Sequence, residues 1–122
     1  MDAIEIIKGR LVEIDAATAY DWAIAGEAIL VDVREPAEFA EQRIPGSVSV
    51  PLSSFSADKL PDPGNGRIVL ICAIGRRSIK AADLLHAAGH AEVTHLYGGL
   101  TAWEAAGLPT VSDDAEAAGK AA

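Results

Sequence analysis

Cys72 is the single cysteine of a 122-residue chain, and the residues beside it decide what a lone thiol can do here. It closes the apolar run RIVLIC and is followed by Ala73, Ile74, Gly75, Arg76, Arg77 and Ser78. A thiol is a nucleophile only as its thiolate, and nearby cations or a helix N-terminus favour that form over a free cysteine of pKa about 8.5. Arg76 and Arg77 supply cations, and Gly75 permits a tight curl. The backbone N–H groups of such a turn can converge on an anion, while the following helix adds the positive end of its dipole. Cys72 is therefore the expected nucleophile, with Ala73, Ile74, Gly75, Arg76, Arg77 and Ser78 as the substrate-binding turn. A strand-end cysteine also serves as inert packing, since free cysteine is among the most buried side chains. The glycine, the two arginines and the strand-to-helix setting favour the reactive reading. For Ser78 two roles stay open, a helix cap or a hydroxyl that touches the ligand, and the cap is the simpler.

Charge supports a small anionic substrate. From Pro63 to Ala82 the chain has no acidic residue but carries Arg67, Arg76, Arg77 and Lys80, within a net charge of −8. The overall sign argues against nucleic acid and anionic membrane as partners. One cysteine allows neither an internal disulfide nor a CxxC metal pair. His86, His90 and His95 match no common zinc spacing and read as packed or solvated, so no metal is expected. None of them is an obvious catalytic partner for Cys72. Asp32 and Arg34 read as a structural pair near the site, with Arg34 bridging to Glu35, Glu38 or Asp32. Trp22 and Trp103 read as packing, and Gly98-Gly99, which forms no GxGxxG pattern, as a turn.

These residues need a frame, and the chain alternates strand-like and helix-like segments. LVEI (11–14), AILVDV (28–33), SVSVP (47–51), RIVLIC (67–72) and EVTHL (92–96) are strand-like. Helical stretches are expected at 16–25 after the capping Asp15, from Pro36 through Glu41, at 78–89 with Ile79, Ala82, Leu85 and Ala88 or Leu84 sharing one apolar face, and at 100–107. SSFSADKL is a weak helix and PDPGNG a loop. Strands joined through helices predict an α/β fold, a small mainly parallel sheet covered on both faces. Ligands of such sheets collect at the carboxyl ends of strands, where Cys72 stands.

Half the residues are apolar and 23% are charged, a globular composition of a size that fits one domain. The division expected is a lead-in over 1–10, a domain over 11–109 and a flexible acidic tail over 110–122. No apolar run approaches a membrane span, and the acidic start MDAIEIIKGR lacks the features of a secretory signal, so a cytoplasmic location is expected.

Over about residues 12–109 the chain resembles the rhodanese family of thiosulfate-type sulfurtransferases. LVDVREPAEFAEQRIPGSVSVP resembles its signature strand, turn and IPGA-like segment; CAIGRRS resembles its active-site loop; and YGGLTAWEAAGLP resembles its C-terminal signature. The resemblance implies a ping-pong reaction in which the Cys72 thiolate takes the outer sulfur of a donor such as thiosulfate, forms a persulfide, and passes that sulfur to cyanide or a thiol. It implies no organic cofactor. With no second cysteine to resolve the persulfide, the acceptor comes from outside, as a small thiophile or a partner protein. Related phosphatases place arginine six positions after cysteine; here that position is Ser78, with Arg77 at five, which favours sulfur over phosphate. Two departures stand out. Arg43 precedes the IPG segment where the family often has histidine, and Ala73 and Ile74 are apolar where relatives are often polar or basic. The alternatives are a noncatalytic binding module and a dedicated persulfide carrier.

Overall fold

Val31, Val33, Val69, Leu70 and Leu96 are wholly excluded from solvent, and a side chain of this kind contributes roughly 1.5–3 kcal/mol when fully buried. Runs this apolar can be satisfied only in strands covered on both faces. The computed structural model, which describes residues 9–113, arranges them in that way. Strands β1 (Arg10–Ile14), β2 (Ala28–Asp32), β3 (Val48–Ser49), β4 (Arg67–Ile71) and β5 (Glu92–Leu96) form one sheet in the order β1-β5-β4-β2-β3. All its pairings are parallel, as expected from helical connections. The helices are α1 (Ala16–Ile24), α2 (Pro36–Glu41), α3 (Arg77–Ala87) and α4 (Gly99–Ala105).

Helices α1 and α4 cover one face, where Ala16, Ala19, Leu100 and Trp103 pack on Leu30, Val69, Ile71 and Leu96. Helix α3 covers the other, with Ala81, Ala82 and Leu85 against Val31, Leu70, Cys72 and Val93. Asp15 caps α1 by accepting from the Thr18 N–H at 2.8 Å. Helix α2 carries Pro36 at its first turn and a capping box between Glu35 and Glu38.

Several expectations are corrected. The strand expected over 47–51 pairs only at Val48–Ser49, because Pro51 cannot extend the ladder. The weak helix resolves into two short 3-10 turns, Leu52–Ser54 and Ala57–Lys59. The buried face of α3 runs through Ser78, Ala81, Ala82 and Leu85, leaving Ile79 and Leu84 exposed. Beside the domain's Arg43, Val111 pairs in both directions with the Arg43 backbone at 2.8 Å, and Arg43 Nη1 meets Asp113 at 2.6 Å. Positions 1–8 of the lead-in and 114–122 of the tail lie outside the described residues.

Candidate active site

Strand β4 carries Cys72 just past its carboxyl end, on the face covered by α3, and the thiol residue is only 1% exposed. Four residues, Ala73, Ile74, Gly75 and Arg76, then turn the chain into α3. Gly75 adopts φ +91, which a side-chain-bearing residue rarely accepts, and its N–H points at Cys72 Sγ at 2.9 Å. A donor so placed can hydrogen-bond a sulfur atom that carries negative charge. The N–H groups of Ala73, Ile74, Arg76 and Arg77 meet no acceptor among the described residues. The turn thus combines a buried sulfur with main-chain donors that an anion can occupy.

The first residues of α4 hold this turn in place. Leu100 N donates to Cys72 O at 2.7 Å and Thr101 N to Ala73 O at 3.0 Å. A side chain on Gly99 would put its first carbon 2.3 Å from Cys72 O, and Gly99 has φ +59. Gly98 closes the expected turn and Gly99 opens α4, and together they are the surface on which the cysteine turn rests.

Ser78 does not cap α3. Arg76 holds the capping position without a side-chain bond, and the wholly buried Ser78 hydroxyl lies 3.5 Å from Cys72 Sγ and 2.7 Å from His95 Nδ1. His95 is packed, at 1% exposure, and its Nε2 meets Glu13 Oε2 at 2.9 Å. A histidine thus stands one hydroxyl away from the thiol, a neighbour the sequence reading did not place. The available signal was period-two alternation, which puts Glu13 and His95 on the same face of adjacent strands. Using it requires knowing that β1 pairs with β5.

The arginines divide. Arg76 and Ile74 are exposed on the turn. Arg77 makes a two-pronged bond to Glu38, at 2.6 and 2.8 Å. This bond holds the Glu38 carboxyl down at about 2 and raises Arg77, to which the charge of Cys72 also contributes. Arg67 takes no part: it starts β4, roughly 16 Å up the strand, and its guanidinium lies 4.4 Å over the Trp22 ring. Asp32 and Arg34 pair with each other at 2.7 Å, both buried, and Arg34 also donates to Gln42 O at 2.6 Å. Arg43 is buried, donates to Phe39 O and stacks on the Phe39 ring. No group of His, Cys, Asp or Glu among the described residues is arranged to hold a metal ion.

Residues 15–106 match the rhodanese-like domain. The chain belongs to the rhodanese family. An uncharacterized protein of Synechocystis is 47% identical to this chain over 83 residues, covering 68% of the chain and 46% of that protein. The chain thus spans about half the length of that relative. Thiosulfate sulfurtransferase 16, chloroplastic, of Arabidopsis thaliana is 37% identical over 110 residues, covering 80% of the chain and 90% of that protein. Among solved structures, a rhodanese-related protein from Thermoplasma volcanium superposes with a TM-score of 0.70 at 30% identity, over 82% of the chain and 97% of that protein. The five-stranded parallel sheet, with the four helices named among the described residues, is the rhodanese-like fold. No helix among the described residues of this rhodanese is long and apolar enough to cross a membrane.

Proposed function

We propose that this rhodanese is a sulfurtransferase that carries sulfane sulfur on Cys72. The observation supporting this most directly is the Gly75 N–H aimed at the buried sulfur, within a turn whose other main-chain donors are free. In the first half-reaction the Cys72 thiolate attacks the outer sulfur of thiosulfate. A new S–S bond forms, the old one breaks, and its electron pair leaves with sulfite. In the second, an external thiophile such as cyanide attacks the outer sulfur of the persulfide, departs as thiocyanate, and restores the thiolate. Each charged state of the sulfur needs main-chain donors that are fixed before the reaction begins. Ala73, Ile74, Gly75, Arg76, Arg77 and Ser78 form the substrate-binding turn, Arg77 acting by its charge while bonded to Glu38. Asp32 and Arg34 support the turn's surroundings as a buried pair. A phosphatase reading fits less well, because the residue six positions after Cys72 is Ser78, whose hydroxyl already faces His95.

Ile74, 55% exposed on the turn, favours a second reading in which the acceptor is a partner protein that covers an apolar rim. The test is to incubate wild type and Cys72→Ser with thiosulfate, weigh both by intact mass spectrometry, and then add cyanide. One added sulfur on wild type alone, with thiocyanate released over many turnovers, is the expected result. Loading without turnover supports the dedicated carrier. Loading of Cys72→Ser, or turnover by it, overturns the role of Cys72.

A further inference from the structure

Behind the sulfur, three polar side chains cross an otherwise apolar layer between the sheet and α3. Cys72, Ser78 and His95 are at most 1% exposed, whereas the Glu13 side chain at the far end is 49% exposed. The contacts run Cys72 Sγ to Ser78 Oγ at 3.5 Å, Ser78 Oγ to His95 Nδ1 at 2.7 Å, and His95 Nε2 to Glu13 Oε2 at 2.9 Å. Burying these groups costs stability unless each bond is made, and leucine or valine would fill the same space at no such cost.

The bond directions follow from chemistry. Glu13 as a carboxylate only accepts, so neutral His95 carries its hydrogen on Nε2 and presents the Nδ1 lone pair to Ser78. Ser78 then donates to His95, and its free lone pair receives the Cys72 S–H. We infer that Ser78, His95 and Glu13 form a proton relay that takes the proton from the buried thiol. The S–H bond breaks and a new O–H bond forms on Ser78. The original Ser78 proton moves to His95 Nδ1, leaving an imidazolium against Glu13. Ser78 ends as it began, a hydroxyl, now donating to the thiolate. No oxidant or other reactant is consumed.

The other charged groups around the thiol are already paired. Arg77 from α3 is bonded to Glu38 from α2, and Asp32 at the end of β2 to Arg34. Arg76 on the turn is exposed. Glu13 from β1 and His95 from β5 are therefore the acceptors still available to the thiol proton, reached through Ser78. His95 is a positioning residue that acts through Ser78. This inference rests on Cys72 being the nucleophile of the proposed transfer, but its test needs no sulfur donor.

The measurement is thiolate ultraviolet absorbance against pH, for which a single cysteine is convenient because Cys72→Ser provides the blank. In His95→Gln the thiolate midpoint is expected to rise by about one pH unit or more, a tenfold loss of thiolate below both midpoints. Ser78→Ala is expected to raise it similarly, and the double variant no further. Glu13→Gln, altering a half-exposed side chain, raises it by a smaller step and keeps the test available if a core variant fails to fold. Folded variants with midpoints unchanged from wild type overturn the relay. Failure of thiosulfate to load sulfur, with these shifts present, overturns the transfer reading alone.

Discussion

At the scale of single residues, Arg34 is a cation with almost no solvent around it, and its guanidinium donates to Asp32 and the Gln42 carbonyl. Replacing it by methionine keeps most of the volume but strands the Asp32 carboxylate. Removing one member of a buried pair typically costs about 3–5 kcal/mol, and Arg34→Met is expected to lose that much in urea unfolding. A cost below about 1 kcal/mol would show that Asp32 finds other partners. Glu38 differs because it and Arg77 are each more than a third exposed, so solvent screening reduces the worth of the pair. Its sign is clear all the same. The folded carboxyl sits near 2, below its ordinary 4.5, so its stabilising contribution is full above about pH 4.5 and fades as pH falls toward 2. Unfolding curves across that window should show a steeper acid loss for wild type than for Glu38→Gln; parallel curves would contradict the pair.

At the scale of elements, the cysteine turn depends on α4 as much as on its own sequence. Gly99→Ala adds a side chain at positive φ, a strain on the order of 1–3 kcal/mol, and drives it into the Cys72 carbonyl. The expected outcome is a lowered melting temperature and loss of sulfur loading together; a variant that keeps both would show that the turn is held without this contact. Ile74→Lys tests the exposed position on the same turn and is expected to shift preference toward anionic donors over apolar or protein acceptors, measured as a ratio of loading rates. How far the site was legible follows from distance along the chain. The turn from Cys72 to Ser78 could be read because strand, glycine and arginines are consecutive. The direction in which Arg77 points could not, since Glu38 lies 39 positions away. His95 and Glu13, separated by 82 positions, meet only because β1 inserts beside β5, a pairing no local pattern encodes. The rotation of α3 was misread for a related reason: Ile79 is apolar, yet the small Ser78 and Ala81 let the helix approach the sheet more closely.

At the scale of the whole molecule, a net charge of −8 surrounds a site that would receive anions. Main-chain donors act over a few ångströms, whereas the surface charge acts over a Debye length of about 10 Å at 0.1 M salt. Added salt should therefore speed thiosulfate loading by screening long-range repulsion, and a loading rate that falls with ionic strength would show that local cations dominate the approach. The burial of Cys72 has a different result. At 1% exposure the empty thiol is shielded from bulky oxidants and alkylating agents, and the proposed transfer calls for a donor with a slender terminal sulfur. Loading displaces the reactive atom by one S–S bond, about 2 Å, so the charged protein would meet the outside world through its cargo while the idle one keeps its nucleophile withdrawn.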